Sequence, residues 1–311
     1  MQNEKRKYDI LAVGELLIDM MSDEFADDFS KVEMFKRIQG GSPANLAMNM
    51  ARLGNQVQLV ASVGKDDMGS YLTQCVEAVG LGKETISVVE EPTTMILVTR
   101  SKDVSNFEAY RGADCQITAT QLNDDLLQSI RIFHTTCFGL SRLPAQESIM
   151  DAARKAHQNG TQLSIDLNYA SKIWKDRGEA QQIVEEYCSY NPIVKVSEVD
   201  WGRLYGDELL DNEAIGQHFL DLGARVVCLT LGAEGVWVFS KEEKHFLPSR
   251  PIEVKDTTGA GDAFWSGFLT AFLDGKSLLA CAKAGRSMAE FKIQRFGTLQ
   301  KKIVRTMLYS E

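Results

Sequence analysis

From Ile130 onward the chain repeats one unit, a short apolar run followed by a helix-like segment, and this alternation restricts the fold more than any other feature. Strands are expected over residues 130–138, 162–167, 193–197 and 225–230, with helices at 145–157, 179–188 and 215–222. Upstream, residues 8–13 read as a buried first strand and 56–63 as another. One helix is expected between Gly40-Gly41-Ser42-Pro43 and Gly54, and a second over 69–79. Proline near a helix start and glycine just past its end are the usual punctuation. Strands this apolar, separated by helices, imply an α/β fold with a central, mostly parallel sheet and helices on both faces. Ligands on such sheets bind at the carboxyl ends of the strands, so the polar residues that follow each strand are the ones to examine.

Two segments, about 19–38 and 92–111, break the alternation with β-like pieces and no helix between them. They are expected to form one small β lid over the carboxyl edge of the sheet, within a single α/β domain spanning residues 1–311. A partner subunit often covers an edge of that kind, which makes a homodimer through the lid one expectation.

Composition narrows the partners. The net charge of −9 argues against nucleic acid, which is bound through clustered Lys and Arg. No run approaches the roughly 18 apolar residues of a membrane span. Six scattered cysteines without a C-x-x-C pair suit a reducing, cytoplasmic setting, and with four histidines no zinc cluster is expected.

Small residues and a carboxylate meet in Asp256-Thr257-Thr258-Gly259-Ala260-Gly261-Asp262, which runs into the apolar stretch 263–269. The backbone N–H groups of Gly259, Ala260 and Gly261 can approach a ligand closely. A helix starting here carries partial positive charge at its unpaired N-terminal amides, so the segment reads as an anion site. Asp262 is expected to be ionised there, either capping the helix or accepting a proton beside the bound anion.

Gly40-Gly41-Ser42-Pro43-Ala44-Asn45-Leu46-Ala47, with Gly54 and Gly64, resembles the N-terminal signature of the ribokinase-like (PfkB) carbohydrate kinases. The segment from Asp256 to Leu269 resembles their C-terminal signature. The resemblance covers essentially the whole chain. It implies transfer of the ATP γ-phosphoryl group to a sugar hydroxyl, with Mg2+ and often a stimulating monovalent cation such as K+.

By that resemblance Asp262 is the catalytic base, and the amides of Gly259, Ala260 and Gly261 stabilise the transferring charge. Asp19, which follows the first strand, is expected to accept two sugar hydroxyls beside Gly40, Gly41 and Asn45, the alternative being a solvated loop acid. Arg111, in Tyr110-Arg111-Gly112-Ala113-Asp114, is a candidate for a sugar oxygen, a carboxylate or the phosphoryl group. Asn168, in Asp166-Leu167-Asn168-Tyr169-Ala170, fits a phosphate or magnesium-water contact. Here Leu167 and Ala170 stand where the family has Pro and often Arg, and Lys172 is the nearest replacement cation. Ser197-Glu198-Val199-Asp200 keeps the spacing of the family's Asn-x-x-Glu with both types changed, and Asp200 is the better match for the metal-linked acid, with Glu198 the alternate. Asp256 and Thr258 complete the expected metal set. Thr230, Gly232 and Gly235 resemble the strand-end turn that contacts the nucleotide, and they also read as an ordinary hairpin turn.

Other classes lack their marks. The first strand ends Val13-Gly14-Glu15-Leu16, without the dinucleotide-binding Gly-x-Gly-x-x-Gly, and neither a Walker A pattern nor protein-kinase motifs occur. Within the kinases, Arg111, Asn168 and Trp174 in their settings look most like bacterial fructokinases, which makes fructose the expected acceptor. Kinases of 2-keto-3-deoxygluconate or 5-dehydro-2-deoxygluconate are the alternative, with Arg111 facing the acid group. A catalytically weak sugar- or nucleotide-sensing member is a third reading.

Overall fold

The computed structural model describes residues 6–26, 28–100, 106–206, 211–295, 297, 299 and 302–310. Asp27 and residues 101–105 of the two lid insertions lie outside the described residues. The expected central sheet is present. Its parallel strands are β1 (Tyr8–Val13), β4 (Val57–Gly64), β5 (Ile86–Val89), β8 (Ile130–Thr136), β9 (Gln162–Asp166), β10 (Ile193–Ser197) and β11 (Val226–Thr230). An antiparallel hairpin, β12 (Gly235–Ser240) and β13 (Lys244–Pro248), extends it, giving the order β13-β12-β11-β10-β9-β8-β1-β4-β5.

Alternation along a strand sends neighbouring side chains to opposite faces. In β1, Ile10 and Ala12 therefore join one core, while Leu11 and Val13 join another. The first core is closed by α1 (Ser42–Arg52), α2 (Asp67–Glu77), α8 (Ala260–Leu273) and α9 (Leu278–Ile293). The second is closed chiefly by α4 (Ala145–Gln158), α5 (Arg177–Cys188), α6 (Glu198–Tyr205) and α7 (Asn212–Asp221), with the short α3 (Asp124–Gln128) at its margin. Burying both faces removes apolar surface worth about 1.5–3 kcal/mol per large side chain, which explains why the strands read as continuous apolar runs. Among the described residues no helix is long and apolar enough to cross a membrane.

Helix α9 and strands β5 and β13 have no counterpart in the sequence reading. The small residues Ala280, Ala282, Ala284 and Gly285 give α9 little apolar period. They serve close packing instead: a Cβ on Gly267 of α8 would lie 2.5 Å from the Ala284 carbonyl oxygen.

The interrupting segments form a separate four-stranded sheet, ordered β3-β2-β6-β7, from β2 (Leu17–Phe25), β3 (Phe35–Gly40), β6 (Met95–Arg100) and β7 (Phe107–Tyr110). Asp19, at the start of the first of these segments, lies inside β2 opposite Ile38 of β3 and not in a solvated loop. In the large sheet, strand order runs outward from β1 in both directions, so the crevice between the carboxyl ends of β1 and β8 is the topological switch point. Thr136, at the end of β8, donates to Glu15 Oε2 across that crevice over 2.9 Å.

Candidate active site

Two helix N-termini converge at this crevice. Strand β3 ends at Gly40 and passes through Gly41 into α1, with Pro43 in the first turn. Gly41 has φ +99°, and a Cβ there would sit 2.2 Å from the Glu15 carbonyl oxygen. A Cβ on Gly40 would sit 2.2 Å from Asp19 Oδ2. Both glycines thus let the end of β3 lie directly on β2.

Helix α8 starts from Gly259, which is left-handed at φ +71°. Asp262, in its first turn, accepts from Ser42 Oγ at 2.6 Å and from Asn45 Nδ2 at 2.8 Å. Gln39 Nε2 donates to Asn45 Oδ1 at 3.0 Å, which fixes the amide's orientation. Asn45 therefore holds Asp262, whereas the resemblance placed it beside the sugar.

Of the three expected anion-binding amides, that of Ala260 already donates to the Thr257 carbonyl at 3.0 Å. The N–H groups of Gly259 and Gly261 have no acceptor among the described residues, so the open donors are those two. Beneath them lies a buried cation. Lys195 Nζ of β10 donates to both oxygens of Asp166 at 2.8 Å, and a Cβ on Gly261 would lie 3.2 Å from that nitrogen. Burial opposes charge on Lys195, but Asp166, with Asp200 and Asp262 behind it, outweighs burial and raises its pKa.

The acids respond to the same enclosure. Burial raises the Asp262 carboxyl above the usual range and the Asp166 charge adds to this, while the bonds from Ser42 and Asn45 and the Lys195 charge pull it back. Burial thus works against the preference for the ionised form that the sequence suggested at this helix terminus. Burial and the Asp262 charge push Asp19 up to about 7. Burial pushes Asp200 up to about 6 against the pull of Lys195.

Other expected residues fall outside this cluster or are already engaged. Arg111 is buried and closed: Nε donates to Asp114 Oδ2 at 2.9 Å, the terminal nitrogens reach Asp114 and Ser141, and the guanidinium stacks 4.3 Å from the Phe138 ring centroid. It is not the open lid arginine that the sequence suggested. Lys172 does not replace the missing Arg at 170, since its Nζ donates to Asn106, the Phe107 carbonyl and Glu108 at the edge of the small sheet. Asp200 Oδ2 accepts from the Ser197 N–H and hydroxyl in a reciprocal cap of α6, leaving Oδ1 as its open oxygen. Glu198 is exposed beside it. Asp256 is filled by the amides of Thr258 and Gly297 and by Lys292, and Thr258 donates to it through the backbone.

On the far side of Asp262, Asn168 Oδ1 accepts from the Phe138 N–H at 3.0 Å, leaving its amide hydrogens open. Thr230 ends β11 and Gly232 turns the chain at φ +50°. Gly235 is needed by the sheet instead, because a Cβ there would meet the Leu247 carbonyl oxygen at 2.2 Å.

Three participants escaped the sequence reading. Ser42 and Glu15 carry no pattern of their own. Lys195 does: it is the one charge in the apolar run Ile193-Val194-Lys195-Val196, and a charge inside a buried strand requires a partner. A cavity beside Asp262 is lined by Asp19, Asn45, Gly259, Lys292 and also Arg52. Arg52 is 7% exposed, its Nε has no partner, and Nη1 makes one 3.3 Å bond to Asn49.

A doubly covered parallel sheet, a second small sheet and paired helix N-termini around a carboxylate at the switch point define a ribokinase-like α/β fold. The chain belongs to the pfkB family of carbohydrate kinases, whose family model matches residues 7–303. It is thus an ATP-dependent sugar kinase by family. It is 34% identical over 296 residues to the ATP-dependent 6-phosphofructokinase of Thermoanaerobacterium thermosaccharolyticum, covering 95% of this chain and 91% of that one. It is 26% identical to a 5-dehydro-2-deoxygluconokinase of Clostridium perfringens, with 92% and 87% covered. Among solved structures, Halothermothrix orenii fructokinase is similar with a TM-score of 0.78 at 31% identity, covering 94% of this chain and 100% of that one.

Proposed function

We propose that the chain phosphorylates a hydroxyl of a small ketose, fructose first, with Asp262 as the base. The observation that carries this is the Asp262 carboxylate, buried between two helix N-termini and held by Ser42 and Asn45 with two open amides one turn away. Asp262 takes the proton of the acceptor hydroxyl as that oxygen attacks phosphorus, and the burial that raises its pKa makes it a stronger base than an exposed carboxylate. The N–H groups of Gly259 and Gly261, with Lys195 behind them, face the charge on the transferring group. Asp19 accepts sugar hydroxyls, and the sugar lies on the bare backbone of Gly40 and Gly41. Asn168, Thr230 and Gly232 line the nucleotide side.

Among the described residues no group of three or more His, Cys, Asp or Glu could hold a metal alone. Asp166 is closed by Lys195, and Asp200 offers one oxygen. That set suits Mg2+, which keeps most of its waters and binds through phosphates and one or two carboxylates. Bound with the nucleotide, it would neutralise charge on the phosphates. The small sheet supports a lid reading because β2 carries Asp19 and β3 delivers Gly40 to the site.

Fructose is favoured over the keto-deoxy acids because Arg111 is consumed by Asp114. The fructokinase likeness points the same way, whereas the 6-phosphofructokinase likeness goes with an acceptor that already carries a phosphate. One observation favours a second reading: Arg52 lines the cavity without an acidic partner among the described residues, which suits an acceptor carrying a phosphate or carboxylate.

The test is ADP release with ATP and Mg2+ over fructose, fructose 6-phosphate and the two keto-deoxy acids. We expect turnover with fructose, and loss to near background in Asp262→Asn with sugar binding kept. Turnover confined to anionic acceptors and lost in Arg52→Ala would establish the second reading. An active Asp262→Asn enzyme would remove the base assignment. Sugar binding without any turnover would make the protein a sensor.

A further inference from the structure

The resemblance brings an expectation of a stimulating monovalent cation, with Asp256 and Thr258 in the metal set. The donor set at that place does not fit an added cation, because a cation is already built into the chain. Lys292, in the last turn of α9, donates from Nζ to Asp256 Oδ2 over 3.1 Å and reaches the Arg295 carbonyl oxygen at 3.5 Å. The Lys292 and Asp256 side chains are each 7% exposed. The carboxylate also accepts from the N–H groups of Thr258 at 2.9 Å and Gly297 at 3.0 Å. An alkali cation shared between Asp256 and the Arg295 carbonyl would need the volume that the ammonium fills, beside a like charge.

The position of this ammonium matters to the site. The N–H groups of Lys255 and Asp256 both donate to the Ile293 carbonyl, at 2.9 and 3.1 Å, so the segment entering α8 is tied to the end of α9. Lys292 Cε lies 3.9 Å from where a Cβ on Gly259 would be, directly behind the left-handed turn that opens α8. Without a cation there, Asp256 would be a buried carboxylate answered only by neutral donors, the two amides and the Thr258 side chain, beside the turn that presents the Gly259 and Gly261 amides.

We infer that the Lys292 ammonium takes the place of a monovalent cation: it neutralises Asp256 and holds the 256–261 turn in its anion-binding shape, so the kinase works without K+. This rests on the proposed phosphoryl-transfer reading of the same turn. A bound alkali ion depends on its concentration in solution, whereas a lysine is always present, so the turn stays formed at any salt composition.

The experiment is a cation titration of the full chain, with ATP-Mg2+ and the best acceptor, in buffer whose only monovalent cation is a bulky organic amine. Expected for the unaltered protein is full turnover in that buffer, unchanged by K+ or NH4+. Lys292→Met is expected to lose about tenfold or more in turnover there. K+ or NH4+ should restore it, and K+ should raise the melting temperature of the variant but not of the parent. Severalfold stimulation of the parent by K+ would overturn the inference, as would a folded Lys292→Met protein that is fully active without K+ or is not rescued by it. If Lys292→Met fails to fold, the parent's own titration decides. A parent inactive in every cation with every acceptor would count against the kinase reading itself, an outcome distinct from K+ stimulation.

Discussion

Asn45 Nδ2 donates to Asp262 Oδ2 over 2.8 Å, joining side chains 217 positions apart in the chain. With the Ser42 hydroxyl on the other oxygen, α1 and α8 share one carboxylate at their N-termini. Both bonds run between side chains of the first turns, so the two helix starts are tied together while their open backbone N–H groups stay available. The two glycine-bearing motifs are thereby one structure: moving either helix start would break the bonds that orient Asp262.

Those two bonds pull the Asp262 pKa down against burial. Ser42→Ala or Asn45→Ala removes one of them and lets the pKa rise further. A base must be deprotonated to act, so a higher pKa moves the acid limb of the rate profile to higher pH. Turnover near neutral pH is expected to fall roughly tenfold and to recover in part in alkali. The pH dependence of kcat for parent and variants checks this; superimposable acid limbs would refute it.

Lys195 and Asp166 form a buried ion pair, with side chains 7% and 3% exposed. Lys195→Met leaves Asp166 buried without its cation, and a loss of about 3–5 kcal/mol is expected. Adding Asp166→Asn removes the stranded charge and should recover much of that loss. Chemical denaturation of the single and double variants measures the coupling, and additive losses would show that the pair does not act as one.

Burial pushes Glu15 up to about 8, from an ordinary value of 4.5. The native state therefore holds a proton that the unfolded chain releases, and the stability this brings declines as pH rises from about 4.5 to about 8. Glu15→Gln has no proton to lose. Its melting temperature relative to the parent should accordingly improve on going from pH 5 to pH 9. Thermal unfolding at both pH values tests the sign, and a variant whose melting temperature relative to the parent is the same or lower at pH 9 would show that Glu15 is ionised in the fold.

The adjacent glycines should fail in different ways. At Gly40 the obstacle to a methyl group is the Asp19 side chain, 2.2 Å away, which can rotate. Gly40→Ala is expected to fold, with the sugar KM raised by about tenfold or more and the ATP KM little changed. At Gly41 the obstacle is the Glu15 backbone, and φ is +99°. Gly41→Ala is expected to lose a few kcal/mol of stability. Steady-state kinetics and denaturation separate the two, and equal stability losses would contradict the geometry.

Much of the fold was legible because its signals are local. Continuous apolar runs announced the parallel strands, and Pro43 and Gly54 marked the ends of α1. The low-period helix α9 was not legible, since alanine and glycine pack closely without producing an apolar stripe. In the site, the positions of Asp262, Gly259 and Gly261 followed from the motif at the start of α8. The state of Arg111 did not, because nothing in Arg111-Gly112-Ala113-Asp114 says that the arginine turns inward onto Asp114 and Ser141.

By itself the sequence determined the covered parallel sheet and the two turns where backbone, bare of side chains, meets helix N-termini. Strand burial and left-handed glycine conformations are written in neighbouring residues. The tertiary structure alone decided which charges meet: Asp262 with Asn45, Lys195 with Asp166 across 29 positions, and Lys292 with Asp256 across 36. Pairing of buried charges depends on which elements lie side by side, and in a sheet ordered outward from β1 that adjacency arises only when the chain has folded.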